Sequence, residues 1–250
     1  MSTDVQNFAV AHLRRRPEPI EVGGFVAGFD PSTTLDYVNY ATPLAGYRPT
    51  DADIAALIGA FRGRGLVPRL EFAPDAAPEV APALSRAGFV TEATHAYLVC
   101  TPESLTPPAG PGAPVVEIPR TDEEYAAVDA ALSEAFDGEF APSAESTSRL
   151  RRTEESGGAV RFVRAPGGGC AGAGSCSPPA EGTSELAGVG TRPEFRGRGL
   201  AGAVTAALTA AAFAKGAGSV WLEAGGDGSR RVYERVGYRA AGTRLYMRLP

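Results

Sequence analysis

Lysine is nearly absent from this chain: Lys215 is the only one, and the other 23 of the 24 basic residues are arginine. With abundant alanine, glycine and proline, that pattern reads as a high-GC coding bias and assigns no chemistry. Histidine is almost as scarce. His12 and His95 both lie in the first half, which argues against a histidine-based triad or metal site further along. The three cysteines, Cys100, Cys170 and Cys176, fit no zinc spacing and have no histidine nearby, so no metal is expected. A reducing, cytoplasmic compartment is the default for so few cysteines. Cys170 and Cys176 fall in the Gly/Ser/Pro-rich stretch 167–182, read as a hairpin connection carrying small, partly buried thiols, with a weak strand beginning at Gly172 to Ser175. Apolar runs such as Ala210 to Ala214 are far too short to span a bilayer, so no membrane partner is expected. The start, Met1-Ser2-Thr3-Asp4, lacks the basic-then-apolar order of a signal peptide. Excess positive charge is missing too: the net charge is −5. The short basic runs Arg14-Arg15-Arg16 and Arg149-Leu150-Arg151-Arg152 read as solvated helix faces, and no nucleic-acid partner is expected.

What the chain does have is length and a motif. Its 250 residues, 44% of them apolar, suffice for one large or two small domains. The motif lies in Ser184 to Gly202. A short strand, Glu185 to Thr191, runs into an arginine- and glycine-rich turn that opens on an alanine-rich helix over 200–215. Such a turn aims free backbone N–H groups and the positive end of a helix dipole at one spot, which suits a phosphate or pyrophosphate. Glycines at 197 and 199 let the backbone come close to a ligand, and Arg196 and Arg198 add charge.

Two signatures fit these residues. Gly197-x-Gly199-x-x-Gly202 spells the dinucleotide fingerprint, and Glu223, at the end of Val220-Trp221-Leu222, falls where a ribose-binding acid belongs. That reading is short of room, because only 27 residues follow Glu223. The other is Arg196-x-x-Gly199-x-Ala201, followed by a helix, a strand and Val232-Tyr233-Glu234-Arg235-Val236-Gly237-Tyr238. This ordered pair of motifs resembles the GNAT superfamily of acyl-CoA-dependent N-acetyltransferases, in a high-GC bacterial form. The resemblance is strong from about Glu185 to Tyr238 and looser back to about Val115.

The resemblance implies an α/β (α+β) fold with a mixed, mostly antiparallel twisted sheet flanked by helices. It also implies acetyl-CoA as co-substrate. The co-substrate would be held by Val189, Gly190 and Thr191 on the strand and by Arg196, Gly197, Arg198, Gly199, Leu200 and Ala201 in the turn. A backbone N–H at Val189 or a neighbour would polarise the thioester carbonyl. Tyr233 matches the family's general acid, and Glu185 and Glu223 are candidates for the base. Where the family often has an asparagine seven residues before that tyrosine, this chain has Gly226, which puts one usual contact in doubt. The acceptor would be a small-molecule amine or a protein amino group. Its choice would lie with 136–157 and 165–183, which carry no motif. A homodimer is left open, as is a non-catalytic acyl-CoA-binding module.

The remaining organisation follows from punctuation. Five prolines between Thr101 and Pro114 mark a linker, 105–114, between domains 1–104 and 115–250. In the second domain, Thr121-Asp122-Glu123-Glu124 has the form of a capping box, and Ala159 to Arg164 alternates as a strand. In the first, Phe61 to Leu66 repeats Phe195 to Leu200 letter for letter. Here the copy ends a helix over Asp51 to Phe61, so its glycines read as a C-cap, whose dipole repels phosphate. The first domain is accordingly read as a smaller, degenerate GNAT-like copy without a phosphate loop.

Overall fold

The computed structural model describes residues 2–108, 110, 112–138 and 141–250. Ala109 and Pro111 of the linker lie outside the described residues, as do Met1, Glu139 and Phe140. The chain forms two compact units. One holds Met1–Tyr97 together with Ala240–Pro250, and the other Leu98–Arg239. The last residues thus join the N-terminal segment rather than the motif-bearing one.

The first unit begins with helix α1 (Ser2–Leu13), then strands β1 (Glu18–Val22), β2 (Phe25–Phe29) and β3 (Tyr40–Pro43). Helix α2 (Asp51–Arg62), β4 (Arg69–Phe72), α3 (Val80–Arg86) and β5 (Val90–Cys100) follow, and the unit closes with β10 (Arg239–Arg248). Its strands run in the order β1-β2-β3-β4-β10-β5. The register explains the C-terminal assignment: β10 pairs antiparallel with β4, Leu245 opposite Phe72 and Arg248 opposite Arg69. Met247 is buried in the same core as Leu70, Phe72, Leu57 and Phe61.

Helix α2 is closed at both ends by its own residues. Thr50 accepts from the Asp53 N–H while the Asp53 carboxylate accepts from Thr50, a complete capping box. The Leu66 N–H returns to the Phe61 carbonyl at 3.1 Å, and Gly65 sits at φ +69°, so the repeated Phe-Arg-Gly-Arg-Gly-Leu here is a helix terminator, as expected.

His12 on α1 gives this unit an acid sensitivity. Burial, then Arg16, Arg244 and Arg15, lowers its pKa from 6.5 to about 4. Between those values the unfolded chain carries a proton that the folded chain does not. Stability therefore falls as pH drops from 6.5 towards 4, by on the order of 3 kcal/mol. Urea midpoints measured at neutral and mildly acidic pH should show this loss, and His12→Gln should reduce it. An unchanged pH dependence in the variant would refute the assignment.

The second unit contains α4 (Asp122–Ala135), α5 (Ala144–Glu155), β6 (Ala159–Arg164), β7 (Cys170–Cys176), β8 (Thr183–Thr191), α6 (Leu200–Ala214), β9 (Ser219–Glu223) and α7 (Asp227–Val236). Strand order is β9-β8-β7-β6, with β6–β7 and β7–β8 antiparallel and β8–β9 parallel. Strand alternation sorts the two faces. Val160 and Phe162 join Tyr125, Val128 and Ala131 of α4, whereas Ala159 and Val163 join Val204, Leu208 and Ala212 of α6. The capping box at Thr121 and Glu124 starts α4 as its sequence predicts.

One expectation fails here. Cys170 and Cys176 do not sit in a hairpin connection. They are the first and last residues of β7, both buried, and burial pushes each thiol up to about 12. Small residues let Cys170-Ala-Gly-Ala-Gly-Ser-Cys pack between helices on both faces, and the weak strand read at Gly172 to Ser175 is the middle of β7. Among the described residues no helix is long and apolar enough to cross a membrane, and no cluster of ligands could hold a metal.

Candidate active site

Strand β8 shapes the site through two irregularities. Its parallel pairing with β9 covers Thr183 to Glu185 opposite Ser219 to Trp221 and then stops, so the two strands part beyond Glu185. Against β7, Ser175 faces Ala187 and Ala173 faces Gly190. Gly174 is therefore opposed by two residues, Gly188 and Val189, with Gly188 at φ +62°. This is a β-bulge, and it takes backbone groups out of the ladder where the strands part.

The helix after the turn is left open at its N-terminus. Gly199 is the N-cap of α6 at φ +77°, and among the described residues no side chain caps the helix. The first intrahelical bond runs from the Ala203 N–H to the Gly199 carbonyl, so the N–H groups of Leu200, Ala201 and Gly202 have no helical partner. Gly197 is also at φ +77°, and a Cβ at either glycine would meet nothing within 4 Å among the described residues. The glycines are thus required by conformation, and the space above them is clear. At α2, by contrast, the Thr50 side chain takes the Asp53 N–H, the counterpart of the Gly202 N–H, and the Asp53 carboxylate takes the N–H of the cap residue.

A cavity of ≈ 1080 Å³ opens onto these groups. Of the nine residues expected to hold the co-substrate, all but Arg198 line it. The side chain of Arg196 points elsewhere, its Nε donating to the Thr191 carbonyl at 3.2 Å and Nη2 to the Ala135 carbonyl at 3.0 Å. Arg198 Nη2 donates to the Glu194 carbonyl at 3.0 Å, with its guanidinium 5.3 Å from the Phe195 ring centroid. Both arginines brace the turn against α4, β8 and the short helical turn Pro193–Phe195. Their charge stays close, but the open donors are backbone N–H groups. Thr191 adds a buried Oγ1 without a partner among the described residues at the cavity wall. The donor set of the turn therefore fits a pyrophosphate.

The other walls escaped the sequence reading. Ala135 and Phe136 close the C-terminal end of α4, and Gly190 exists because α4 comes so near: a Cβ there would lie 2.7 Å from that of Ala135. Thr106, Pro107 and Pro108 of the linker form a further wall. They are docked by the Thr106 N–H on the Val236 carbonyl, 2.8 Å away, beside Gly237 at φ +111°, where any Cβ would run into the Ser104 carbonyl. Proline as cavity wall rather than spacer has no sequence signal of its own.

The three residues expected to handle protons are placed differently. None lines the cavity. Glu223 ends β9, and Glu185 is the last β8 residue paired with it, so the two carboxylate positions flank the point where the strands part. Tyr233, on α7, is 8% exposed and lies 6.2 Å, centroid to centroid, from Tyr238. Burial raises its pKa. Tyr238 has its hydroxyl 2.6 Å from Thr209 Oγ1, whereas Tyr233 makes no hydrogen bond among the described residues.

Residues 126–238 match the model of the acetyltransferase (GNAT) family. No curated protein matches the chain. Among solved structures, a GCN5-related N-acetyltransferase from Kribbella flavida superposes with a TM-score of 0.83 at 24% identity, covering 100% of this chain and 96% of that one. One from Sphaerobacter thermophilus gives 0.60 at 18%, covering 90% and 76%. A tandem GNAT protein from the clavulanic acid biosynthesis pathway gives 0.62 at 15%, covering 98% and 86%. These likenesses are of fold, and they bear out the mixed, mostly antiparallel sheet flanked by helices. Residues 126–238 of this chain are an acetyltransferase domain of the GNAT family.

Proposed function

We propose that the chain is an acetyl-CoA-dependent N-acetyltransferase that transfers the acetyl group to a primary amine by direct attack, the acceptor being a small molecule or a protein amino group. The observation that carries this reading is the conjunction of the bulge at Gly188–Val189 with the uncapped N-terminus of α6 on one cavity wall. The co-substrate supplies an activated acyl carbon and a thiol leaving group. The backbone N–H groups of Gly197 to Gly202 bind its pyrophosphate. The Val189 N–H donates to the thioester oxygen as charge develops there. Glu185 or Glu223, directly or through water, removes the proton that the acceptor nitrogen must lose. The Tyr233 phenol gives its proton to the departing sulfur as the carbon–sulfur bond breaks.

A non-catalytic acyl-CoA-binding module remains the second reading, favoured by one observation: no proton-handling candidate lines the cavity. The dinucleotide reading loses its basis, since it requires a parallel sheet and β6, β7 and β8 are antiparallel. The first unit is read as a degenerate GNAT-like copy. Self-capping of α2 supports this, as does the fold likeness to a protein described as a tandem GNAT.

Calorimetric titration with acetyl-CoA, with NADH as control, tests the binding step, and thiol release with a panel of amines tests the chemistry. Binding of acetyl-CoA alone together with amine-dependent thiol release is the expected result. Binding without release under any amine favours the module, and absence of acetyl-CoA binding overturns both.

A further inference from the structure

The chain is acidic overall, yet it gathers positive charge on one helix. Arg230, Arg231 and Arg235 lie on α7 and Arg239 begins β10, against two acids on the helix, Asp227 in its first turn and Glu234. Two of these arginines are accounted for. Arg230 Nε lies 2.8 Å from Glu234 Oε1. Arg239 Nη1 donates to the carbonyls of Glu234 and Tyr238, at 2.9 and 2.8 Å, closing the end of α7. Arg231 and Arg235 have neither a hydrogen bond nor an ion pair among the described residues. They stand four residues apart on the same face, where like charges repel. Arg235, in the last turn, is favoured by the helix dipole; Arg231, mid-helix, is not, and although Asp227 stands four residues before it, no ion pair joins the two among the described residues.

The position of these two side chains is informative. Arg231, Glu234, Arg235 and Arg239 line a shallow groove of ≈ 430 Å³. Arg235 also lines the main cavity, so groove and cavity adjoin at that residue. We propose that Arg231 and Arg235 form a second anion subsite that takes the 3′-phosphate on the ribose of the bound coenzyme. The inference rests on the acyl-CoA reading of the cavity. Coenzyme A carries two separate phosphate groups, a pyrophosphate and a ribose 3′-phosphate monoester. The turn at Gly197 to Gly202 answers the first; among the described residues of the cavity wall the one other guanidinium, that of Arg196, is taken up by the Thr191 and Ala135 carbonyls, which leaves Arg235 for the second. Two guanidinium forks on adjacent turns match a phosphate monoester in charge and in donor geometry. The subsite makes the protein select coenzyme A over its 3′-dephospho form.

The test is titration of the full chain with coenzyme A and with 3′-dephospho-coenzyme A, at low and at raised ionic strength. The wild type is expected to bind coenzyme A about tenfold or more tightly than the dephospho form, with the ratio shrinking as salt rises. In Arg231→Gln/Arg235→Gln the ratio should fall to about one, because the coenzyme A affinity drops to the dephospho value. Glutamine keeps much of the stem that packs at the cavity edge, which limits loss through packing. Equal affinities in the wild type, or a ratio retained in the variant, overturn the subsite and leave the acyl-CoA reading standing. Failure of both ligands to bind overturns the two together.

Discussion

Gly199→Glu is expected to raise the dissociation constant for acetyl-CoA by about 10³-fold, below the range of direct titration. Three contributions add. The N–H groups of Leu200, Ala201 and Gly202 are open donors to a charged ligand, and hydrogen bonds to charged groups are worth roughly 1.5–3 kcal/mol each. A carboxylate placed a few ångströms from a pyrophosphate repels it by about 1 kcal/mol in bulk water and about 4 kcal/mol near a protein surface. The same carboxylate can also accept from the helix N-terminus, as Asp53 helps to do at α2, and so compete for the donors. A control is needed, because Gly199 is at φ +77° and any other residue there carries about 1–2 kcal/mol of backbone strain. Gly199→Ala carries that strain without the charge and should weaken binding by about tenfold at most. Both variants should melt cooperatively, with Tm lowered by a similar few degrees. Acetyl-CoA affinity within a few-fold of wild type in the glutamate variant would sink the assignment of the turn.

Much of this site was legible because its signals are local. The strand-to-helix turn announces itself through glycines whose positive φ angles no other residue adopts cheaply, and the structure puts both Gly197 and Gly199 there. The capping box of α4 and the alternation of β6 are equally local, and both elements appear where expected. The opening 50 residues carried no such signal. In α1 the buried residues Val5, Gln6, Phe8, Ala9, Val10 and Leu13 leave little polar face, and β2, Phe-Val-Ala-Gly-Phe, is buried on both sides. A short run buried all round has no period to read. The failures elsewhere are of long range. The pairing of β10 with β4 brings Leu245 to Phe72, and no turn or spacing encodes it. The linker became a cavity wall through one backbone hydrogen bond and one glycine at α7. Arginines in the turn were read as ligands for phosphate, but their side chains brace the turn, because the sequence shows charge and not direction.

Tyr233→Phe is expected to lower kcat by about 10²- to 10³-fold while leaving the KM for acetyl-CoA within a few-fold. The phenol is buried and its pKa raised, so it stays protonated across the working range, which is what donation to a departing sulfur requires. Among the described residues its hydroxyl makes no hydrogen bond, so removing it leaves no orphaned partner and should change stability by under about 0.5 kcal/mol. That separates two roles a buried tyrosine can have. Tyr238 on the same core is of the structural kind: its hydroxyl meets Thr209 Oγ1 at 2.6 Å, and its loss removes that buried bond while Thr209 keeps its donation to the Thr205 carbonyl at 2.8 Å. A proton donor shows the opposite signature, a large rate effect with an unmoved melting curve. The pH profile supplies a further readout. If the phenol donates the proton, kcat of the wild type falls at high pH as it ionises, and the phenylalanine variant loses that limb. An unchanged kcat with an unchanged profile would return Tyr233 to the hydrophobic core and leave the leaving group to take its proton from solvent. A large loss of stability would do the same, since it would mean the ring and hydroxyl are held by contacts that the fold itself depends on.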